Sequence, residues 1–295
     1  MQSERPLSIL VIGGNGQLGR HLREELPEAE FWDRSVVDLA DTALLGRKLE
    51  AVTQPQIIIN AAAYTAVDRA EAEPDLAWRV NAEAPAMLAR AAQRFDVALV
   101  HVSTDYVFDG GKATGYVEAD AVAPLNVYGR SKLGGELAVT NLCRQHWILR
   151  ASWVFSEHGQ NFPKTMLRLA REREELRVVE DQRGRPTYAG DLARCIVGLV
   201  GQGVRNPELP WGLHHVGGGP VVTWKQFADA TCEQASSAGL LGRVPRVVGI
   251  STEEYPTPAA RPRNSVLLTR EETSAVTRDP FDWQRGLRSM LAEWA

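Results

Sequence analysis

The chain has 295 residues, of which 44% are hydrophobic and 24% charged, so it can bury the core of one large α/β domain or of a major and a minor domain. A net charge of −4 and the lack of any run of like charges exclude the basic surface that binds nucleic acid. The first apolar run stops at Gly13, too early for a signal peptide or a membrane span, so no membrane association is expected. Cys143, Cys195 and Cys232 form no Cys-x-x-Cys pair and are odd in number, which favours a reducing compartment, the cytoplasm.

The first predicted element is a strand at residues 8–12, followed by a glycine-rich turn and an amphipathic helix at residues 20–26. The turn contains Gly13-x-x-Gly16-x-x-Gly19. Glycines at this place let the backbone approach a pyrophosphate, and the helix N-terminus directs its amides at the anion. We therefore predict that Gly13, Gly16 and Gly19 bind a dinucleotide; a plain strand-to-helix turn is the alternative.

The end of the second predicted strand carries two charges of opposite sign. A carboxylate at Asp33 suits an adenosine ribose with a free 2′-hydroxyl, whereas Arg34 suits a 2′-phosphate. Both NADPH and NADH therefore stay open at this point. Solvated loop charges with no ligand are the alternative for both residues.

Further apolar runs at residues 57–59, 98–102 and 148–150 alternate with helical segments such as 82–94. This alternation predicts an α/β fold, a Rossmann-type doubly wound parallel sheet covered on both faces.

The second half of the chain has a different texture. Past residue 152, Gly, Pro and Trp become frequent, and we predict helices at residues 162–174, 191–200 and 224–238. The expected division is a dinucleotide-binding domain at residues 1–152 and a smaller C-terminal substrate-binding domain at 153–295, with a return of the chain to the first domain left open.

Three residues are candidates for catalysis. Tyr128 and Lys132 are four residues apart, so they share one face of a helix, where the ammonium is expected to favour the ionised phenol and allow proton transfer near neutral pH. Thr104 ends a parallel strand, where its hydroxyl can bond a carbonyl oxygen. The alternatives are an exposed helix pair and an ordinary threonine. The histidines show no metal-ligand spacing, and no metal site is predicted.

Several phrases of the sequence resemble one family. They are residues 60–68, 70–74, 103–109, 124–129, 132–136, 161–167, 183–187, 255–258 and 261–265, together with the glycine turn. The sequence is similar to the extended short-chain dehydrogenases and, among them, to the dTDP-4-dehydrorhamnose reductases. The resemblance spans nearly the whole chain.

The resemblance implies reduction of the C4 ketone of a dTDP-4-keto sugar, dTDP-4-dehydro-L-rhamnose, with NADPH or NADH. It makes Tyr128 the proton donor, Lys132 the ribose-binding residue that tunes it and Thr104 the carbonyl-orienting hydroxyl. The implied cofactor contacts are Gly16, Gln17, Leu18, Asp38, Leu39, Ala63, Tyr64 and Thr65. The implied substrate contacts are Thr104, Asp105 and Trp153, to which the chemistry of a guanidinium adds Arg261 for the diphosphate.

Two other functions stay open. One is a non-catalytic, dinucleotide-binding regulatory subunit, against which the complete set of Thr104, Tyr128 and Lys132 argues. The other is an epimerase, or a reductase of another nucleotide sugar, on the same fold.

Some members of the family are described as dimers linked by a metal through glutamates. His21 and Gly190 stand at two of the corresponding positions, which leaves Glu293 as the one carboxylate. The resemblance therefore argues against Mg²⁺ here, although Mg²⁺ and a homodimer both stay open.

Overall fold

The computed structural model describes residues 8–52, 55–205, 210–269 and 281–294. Its strands are β1 (Ile9–Ile12), β2 (Glu30–Trp32), β3 (Ile57–Asn60), β4 (Ala98–Thr104), β5 (His146–Ala151), β6 (Val154–Phe155), β7 (Glu175–Val179), β8 (Arg183–Gly184), β9 (Thr187–Tyr188), β10 (Gly212–Val216), β11 (Val222–Thr223) and β12 (Arg246–Ile250). Its α-helices are α1 (Gln17–Glu25), α2 (Thr42–Ala51), α3 (Val67–Ala72), α4 (Pro74–Trp78), α5 (Ala84–Phe95), α6 (Val127–Leu142), α7 (Phe162–Glu172), α8 (Ala189–Arg205), α9 (Trp224–Ser237) and α10 (Trp283–Ala292). A π-helical turn, Arg79–Glu83, joins α4 to α5, and a 3₁₀ turn, Asp105–Val107, follows β4.

Six strands form one parallel sheet in the order β2-β1-β3-β4-β5-β10. Along β1, Leu10 and Ile12 pack into one apolar cluster, and Ile9 and Val11 pack into a second cluster on the opposite face. The first cluster includes side chains of α2, α5 and α6, and the second includes side chains of α1 and α8. Since successive strand residues point to opposite faces, both faces are buried. The predicted Rossmann-type doubly wound sheet is confirmed.

The strand order reverses at β1, which has β2 on one side and β3 on the other. Connections leave such a point in opposite directions and open a crevice at the carboxyl ends of the strands. Gly13 directly follows β1 and therefore lies at this crevice.

A third apolar cluster lies in the second half of the chain. It is formed by α7, α9 and α10 and includes Phe227, Trp283 and Leu287. Three two-stranded pairings border it, β6 with β9, β7 with β12 and β8 with β11. Between these elements the chain returns to the large sheet through α8 and β10. The domain division at residue 152 stays a prediction.

Several helix boundaries differ from the predicted ones. α7 and α9 begin where predicted, because the side chains of Asn161 and Thr223 accept hydrogen bonds from the first-turn amides. α1 begins three residues earlier than predicted, at Gln17, because Gly16 is its N-cap residue. None of the helices in the described part of the chain combines the length and the apolar character that crossing a bilayer requires.

Candidate active site

The glycine turn leads directly from β1 into α1. Gly13 has a φ of +94°, which favours glycine, and its N–H donates to the Trp32 carbonyl at 2.7 Å. A Cβ on Gly19 would lie 2.1 Å from the Gly13 carbonyl oxygen, so the helix packs too closely on the turn for any side chain. The N-cap residue Gly16 supplies no capping side chain, and the first turn of α1 carries no acidic residue. These first-turn amides fit the pyrophosphate of a dinucleotide.

The two residues after Gly16 face different ways. Leu18 is buried in the core beneath the sheet, so only its backbone can contact a dinucleotide. The side-chain oxygen of Gln17 accepts a hydrogen bond from Asn161 Nδ2 at 2.9 Å. This bond ties the start of α1 to the segment after β6.

Substitution of Gly19 by alanine is expected to weaken NADPH binding by about tenfold or more, since overpacking a close backbone contact costs about 1–3 kcal/mol. The added Cβ would displace the Gly13 carbonyl and with it the turn. Calorimetric titration with NADPH measures the effect. Gly201→Ala, in α8, is the matched control because its Cβ meets nothing within 4 Å. Equal affinity in the Gly19 variant would show that the turn does not form the dinucleotide site.

The residues predicted at the adenosine end lie beyond β2. The Asp33 carboxylate accepts hydrogen bonds from Asn15 Nδ2 at 2.6 Å and from the Ser35 N–H at 2.8 Å. The Ser35 hydrogen bonds lower the pKa of Asp33, so this carboxylate is ionised at neutral pH. Arg34 beside it is exposed. Both ribose recognition modes therefore stay available.

Asp38 and Leu39, predicted near the adenine, differ in exposure. Asp38 is exposed and its Oδ1 accepts from the Ala40 N–H at 3.0 Å. Leu39 is buried in the core beside α2, so its side chain serves packing.

Residues 63–65 leave the carboxyl end of β3. Tyr64 is buried and its hydroxyl donates to Glu73 Oε2 at 2.5 Å, whereas Thr65 is exposed and Ala63 is half-buried. The backbone of Tyr64 is fixed by Asn81, whose side chain accepts from its N–H at 2.8 Å and donates to its carbonyl at 3.0 Å.

Thr104 and Tyr128 meet at the carboxyl end of β4. Thr104 is the last residue of the strand, and the Tyr128 phenol, on the first turn of α6, lies close enough to the Thr104 side chain to interact with it. The helix can approach closely because Gly129 has no side chain. A Cβ there would lie 2.2 Å from the Tyr106 carbonyl oxygen. The structure thus brings the predicted hydroxyl and phenol together.

Burial raises the pKa of Tyr128 to about 12; the hydrogen bond to Thr104 opposes this rise and the Asp105 carboxyl adds to it. The phenol is therefore protonated at neutral pH. The prediction that Lys132 lowers this pKa is wrong for this structure. The causes of the shift are burial, Thr104 and Asp105, and the Lys132 Nζ donates to the Val102 carbonyl at 2.6 Å.

Lys132 is almost fully buried on α6, one turn after Tyr128. Burial lowers the pKa of its ammonium to about 8, and the Glu136 carboxylate opposes the fall. The spacing of four residues correctly placed both side chains on one helix face. It did not show where the long, flexible lysine side chain ends.

Asp105 lies beneath the hydroxyl of Thr104, whose Oγ1 donates to Asp105 Oδ1 at 3.1 Å. The residue is 2% exposed, and burial raises the pKa of its carboxyl to about 7, against hydrogen bonds from Ser265 and Thr104. Ionisation of the Asp105 carboxyl therefore places a negative charge beside the Tyr128 phenol.

Asp105→Asn is expected to change stability in a pH-dependent way. The folded pKa of about 7 lies above the unfolded value of 3.8, so the folded state holds the proton more tightly and the wild type loses stability as pH rises between these values. The loss is about 4 kcal/mol at most. Thermal unfolding of both proteins from about pH 5 to pH 8 should show the melting temperature of the variant rising relative to that of the wild type. A constant difference in melting temperature would contradict a shifted Asp105.

Trp153 follows β5, whose last residue, Ala151, is in register with Thr104. Its φ is +50°, a strained conformation for a tryptophan. The indole stacks on Trp224 with ring centroids 3.5 Å apart, and a Cβ on Gly184 would lie 2.4 Å from it. The ring is half-buried at the edge of the sheet that carries Thr104. This placement suits the predicted contact between Trp153 and the sugar nucleotide, in which the indole offers an apolar surface. That contact stays a prediction.

Arg261 is engaged by a protein carboxylate. Its Nη1 and Nη2 donate to the two oxygens of Asp68 at 2.5 and 2.6 Å, and Nη1 also donates to the Ala259 carbonyl. Its guanidinium also lies near the Tyr106 phenol, whose ring packs edge-on against Tyr128 with centroids 5.9 Å apart. The structure therefore brings Arg261 to the site through Tyr106, and its diphosphate role stays a prediction.

Sequence reasoning missed the residues that support this site. Glu136 and Arg150 form a buried ion pair at 2.6 Å, and Ser103 donates to the same carboxylate. Asn126 caps α6 by accepting from the Gly129 N–H at 2.7 Å and also donates to the Ala260 carbonyl. An asparagine just before the Tyr128 helix was a readable capping signal. The ion pair gave no readable signal in the sequence, because Glu136 and Arg150 lie on different elements of the fold.

The three positions that correspond to family metal ligands do not fit Mg²⁺. Magnesium takes oxygen ligands, yet Gly190 has no side chain, and a Cβ there would lie 2.5 Å from the Tyr188 ring. Only Glu293 supplies a carboxylate, and it is exposed. We derive no role for Mg²⁺. A homodimer stays a prediction.

A glycine turn at the switch point, a strand-end hydroxyl and a phenol on the following helix together define an extended short-chain dehydrogenase. The sequence model of a family described as RmlD substrate binding domain matches residues 7–295. The chain is 42% identical to the dTDP-4-dehydrorhamnose reductase of Aggregatibacter actinomycetemcomitans, over 96% of this chain and 98% of that protein. It is 41% identical to that of Escherichia coli, over 97% and 98%.

Among solved structures, the chain is similar to a dTDP-4-dehydrorhamnose reductase from Bacillus anthracis in complex with NADP. The TM-score is 0.87 and the identity 36%, covering 98% of this chain and 100% of that one. The chain belongs to the dTDP-4-dehydrorhamnose reductase family.

Proposed function

We propose that this protein reduces the C4 ketone of dTDP-4-dehydro-L-rhamnose to the alcohol of dTDP-L-rhamnose, with NADPH as reductant. The observation that carries the proposal is the placement of the Tyr128 phenol beside the Thr104 side chain at the carboxyl end of β4. Reduction of a ketone needs a proton donor for the alkoxide that forms. A phenol whose pKa is about 12 is such a donor at neutral pH.

In this proposal each group has one task. Thr104 orients the ketone oxygen and stabilises the negative charge that grows on it. Tyr128 gives its hydroxyl proton to the same oxygen. The nicotinamide supplies the hydride when the dinucleotide is bound in the crevice at Gly13.

Lys132 is proposed to bind the nicotinamide ribose, since its ammonium is held on the face of α6 that carries Tyr128. The half-buried Trp153 is proposed to pack on the sugar nucleotide, and Asp105 to bond the sugar through the network that it shares with Thr104. We further propose that the reaction takes place in the cytoplasm, which the three free cysteines support.

Loss of NADPH absorbance with dTDP-4-dehydro-L-rhamnose generated in situ tests the proposal. Parallel reactions with NADH rank the two cofactors, and a UDP-4-keto sugar tests the nucleotide. Oxidation of NADPH that needs the dTDP substrate supports the proposal. If neither sugar is reduced and no dinucleotide is retained after purification, the result favours the regulatory subunit. If NAD is tightly retained after purification and is not consumed, the result favours the epimerase.

A further inference from the structure

Three side chains with metal-ligating atoms converge away from the site described above. His21 lies on α1, and Glu157 and His158 lie on the segment after β6. His21 Nε2 is 3.3 Å and His158 Nε2 is 3.6 Å from the same carboxylate oxygen, Glu157 Oε1. One ligand atom from each residue lies within 4.8 Å of the others. The distance in sequence between His21 and the other two explains why the spacing of histidines gave no signal.

The spacing of these atoms suits a small cation. In a tetrahedral site with bonds of about 2.0–2.2 Å, ligand atoms are roughly 3.4 Å apart. The two distances to Glu157 Oε1 are close to that value. Rotation of the His158 ring, whose side chain is 25% exposed, can shorten the separation between the two imidazoles.

The surroundings orient each donor. His21 Nδ1 is 3.6 Å from Glu24 Oε2, and its Nε2 is 3.3 Å from Glu157 Oε1 and 3.2 Å from Ser156 Oγ. A metal bound at Nε2 would replace the contact with Ser156. The Tyr188 hydroxyl is within hydrogen-bond distance of both Glu157 oxygens, at 3.2 Å from Oε2 and 3.4 Å from Oε1, and Oε1 is the oxygen that faces the two histidines. The ring nitrogen Nε2 of His158 is buried and has no hydrogen-bond partner, whereas the backbone N–H of His158 donates to Ser156 Oγ at 3.0 Å. A buried, unpaired ring nitrogen that faces a carboxylate is costly without a ligand.

We propose that His21, Glu157 and His158 form a binding site for a divalent transition metal of the Zn²⁺ class. Two imidazole nitrogens and one carboxylate oxygen suit Zn²⁺, Co²⁺ or Ni²⁺ and disfavour Mg²⁺. One tetrahedral position is left for water. His21 stands at one of the positions at which metal-linked family members carry glutamates, whereas Glu157 and His158 lie outside those positions.

Such a metal joins two parts of the dinucleotide site. It fixes α1, which begins at Gln17, to the segment that carries Asn161, and these two side chains are already bonded at 2.9 Å. A Cβ on Gly159, between them in space, would lie 3.1 Å from Gln17 Cγ. Metal binding is therefore expected to raise the melting temperature and to hold the glycine turn more rigidly.

Titration of the tag-free, metal-stripped full chain tests the site. We expect one Zn²⁺ per chain by calorimetry, and Co²⁺ absorption bands of the intensity that tetrahedral coordination gives. His158→Gln and Glu157→Gln should each weaken Zn²⁺ binding by about tenfold or more. Glu25→Gln, which removes the same charge from an exposed position on α1, is the matched control and should bind like the wild type.

Binding that is weak and of no fixed stoichiometry, or equal in the ligand variants and the control, overturns the proposal. So does a Co²⁺ spectrum of six-coordinate type. Saturating Mg²⁺ should not displace Zn²⁺, and displacement would show that the site is an oxygen-ligand one. None of these readouts uses reductase activity, so the result is independent of the proposed reaction.

Discussion

Replacement of Tyr128 by phenylalanine is expected to lower kcat by about 10²-fold or more, the scale of a lost general acid. The phenol lies beside Thr104, and its pKa of about 12 keeps it protonated throughout the neutral range. The ring itself packs against Tyr106, and phenylalanine preserves that contact. Stopped-flow or steady-state NADPH oxidation with the dTDP substrate measures the loss, and calorimetry should show NADPH affinity close to that of the wild type.

Tyr255→Phe is the matched control, because Tyr255 is 58% exposed and lies apart from the apolar clusters of the described residues. Its turnover should equal that of the wild type. If Tyr128→Phe retained full kcat, the proton would come from another group, and the reading of the Thr104–Tyr128 pair would be wrong.

Removal of the Glu136 carboxylate is expected to cost about 3–5 kcal/mol of the free energy of unfolding, the usual cost of leaving one charge of a buried pair alone. Glu136 and Arg150 are 5% and 3% exposed and are joined by two hydrogen bonds, at 2.6 and 2.8 Å. Glu136→Leu leaves the guanidinium of Arg150 buried over Phe108 with no carboxylate partner at α6. Denaturant unfolding of the variant measures the loss.

A second substitution separates the lost pair from lost packing. Glu136→Leu combined with Arg150→Met removes both charges and should recover most of the stability, since apolar replacements of buried pairs are often neutral. Glu172→Leu, which breaks the exposed pair with Arg168, should change stability by about 1 kcal/mol or less. Equal losses in the single and double variants would show that the charge pair is not the cause.

The fold followed from the sequence where local patterns decide the structure. Apolar runs at β1, β3 and β4 alternate with helices, and the glycines directly after β1 are typical of a dinucleotide-binding turn. The helices that begin at Asn161 and Thr223 were predictable because a capping side chain stands at each. The π-helical turn at Arg79–Glu83 was not, because it depends on how Asn81 reaches the Tyr64 backbone.

The sequence allowed us to predict which residues form the site, but it gave less information on their pKa values and side-chain partners. Helix spacing placed Tyr128 and Lys132 on one face, but the direction of the Tyr128 pKa shift depends on burial, which no spacing reveals. The guanidinium of Arg261 was predicted for a diphosphate, and only the fold shows that Asp68 binds it. The His21, Glu157 and His158 cluster was missed for the same reason, since its members meet only after the chain folds.

The most direct test of the proposed reduction follows the transferred hydrogen itself. Incubation of the protein with dTDP-4-dehydro-L-rhamnose and NADPH carrying deuterium at both positions of nicotinamide C4, followed by NMR of the sugar nucleotide, locates the transferred atom. We expect one deuterium at C4 of dTDP-L-rhamnose for each NADPH oxidised. A sugar without deuterium at C4, or a product formed with no net consumption of NADPH, would contradict it.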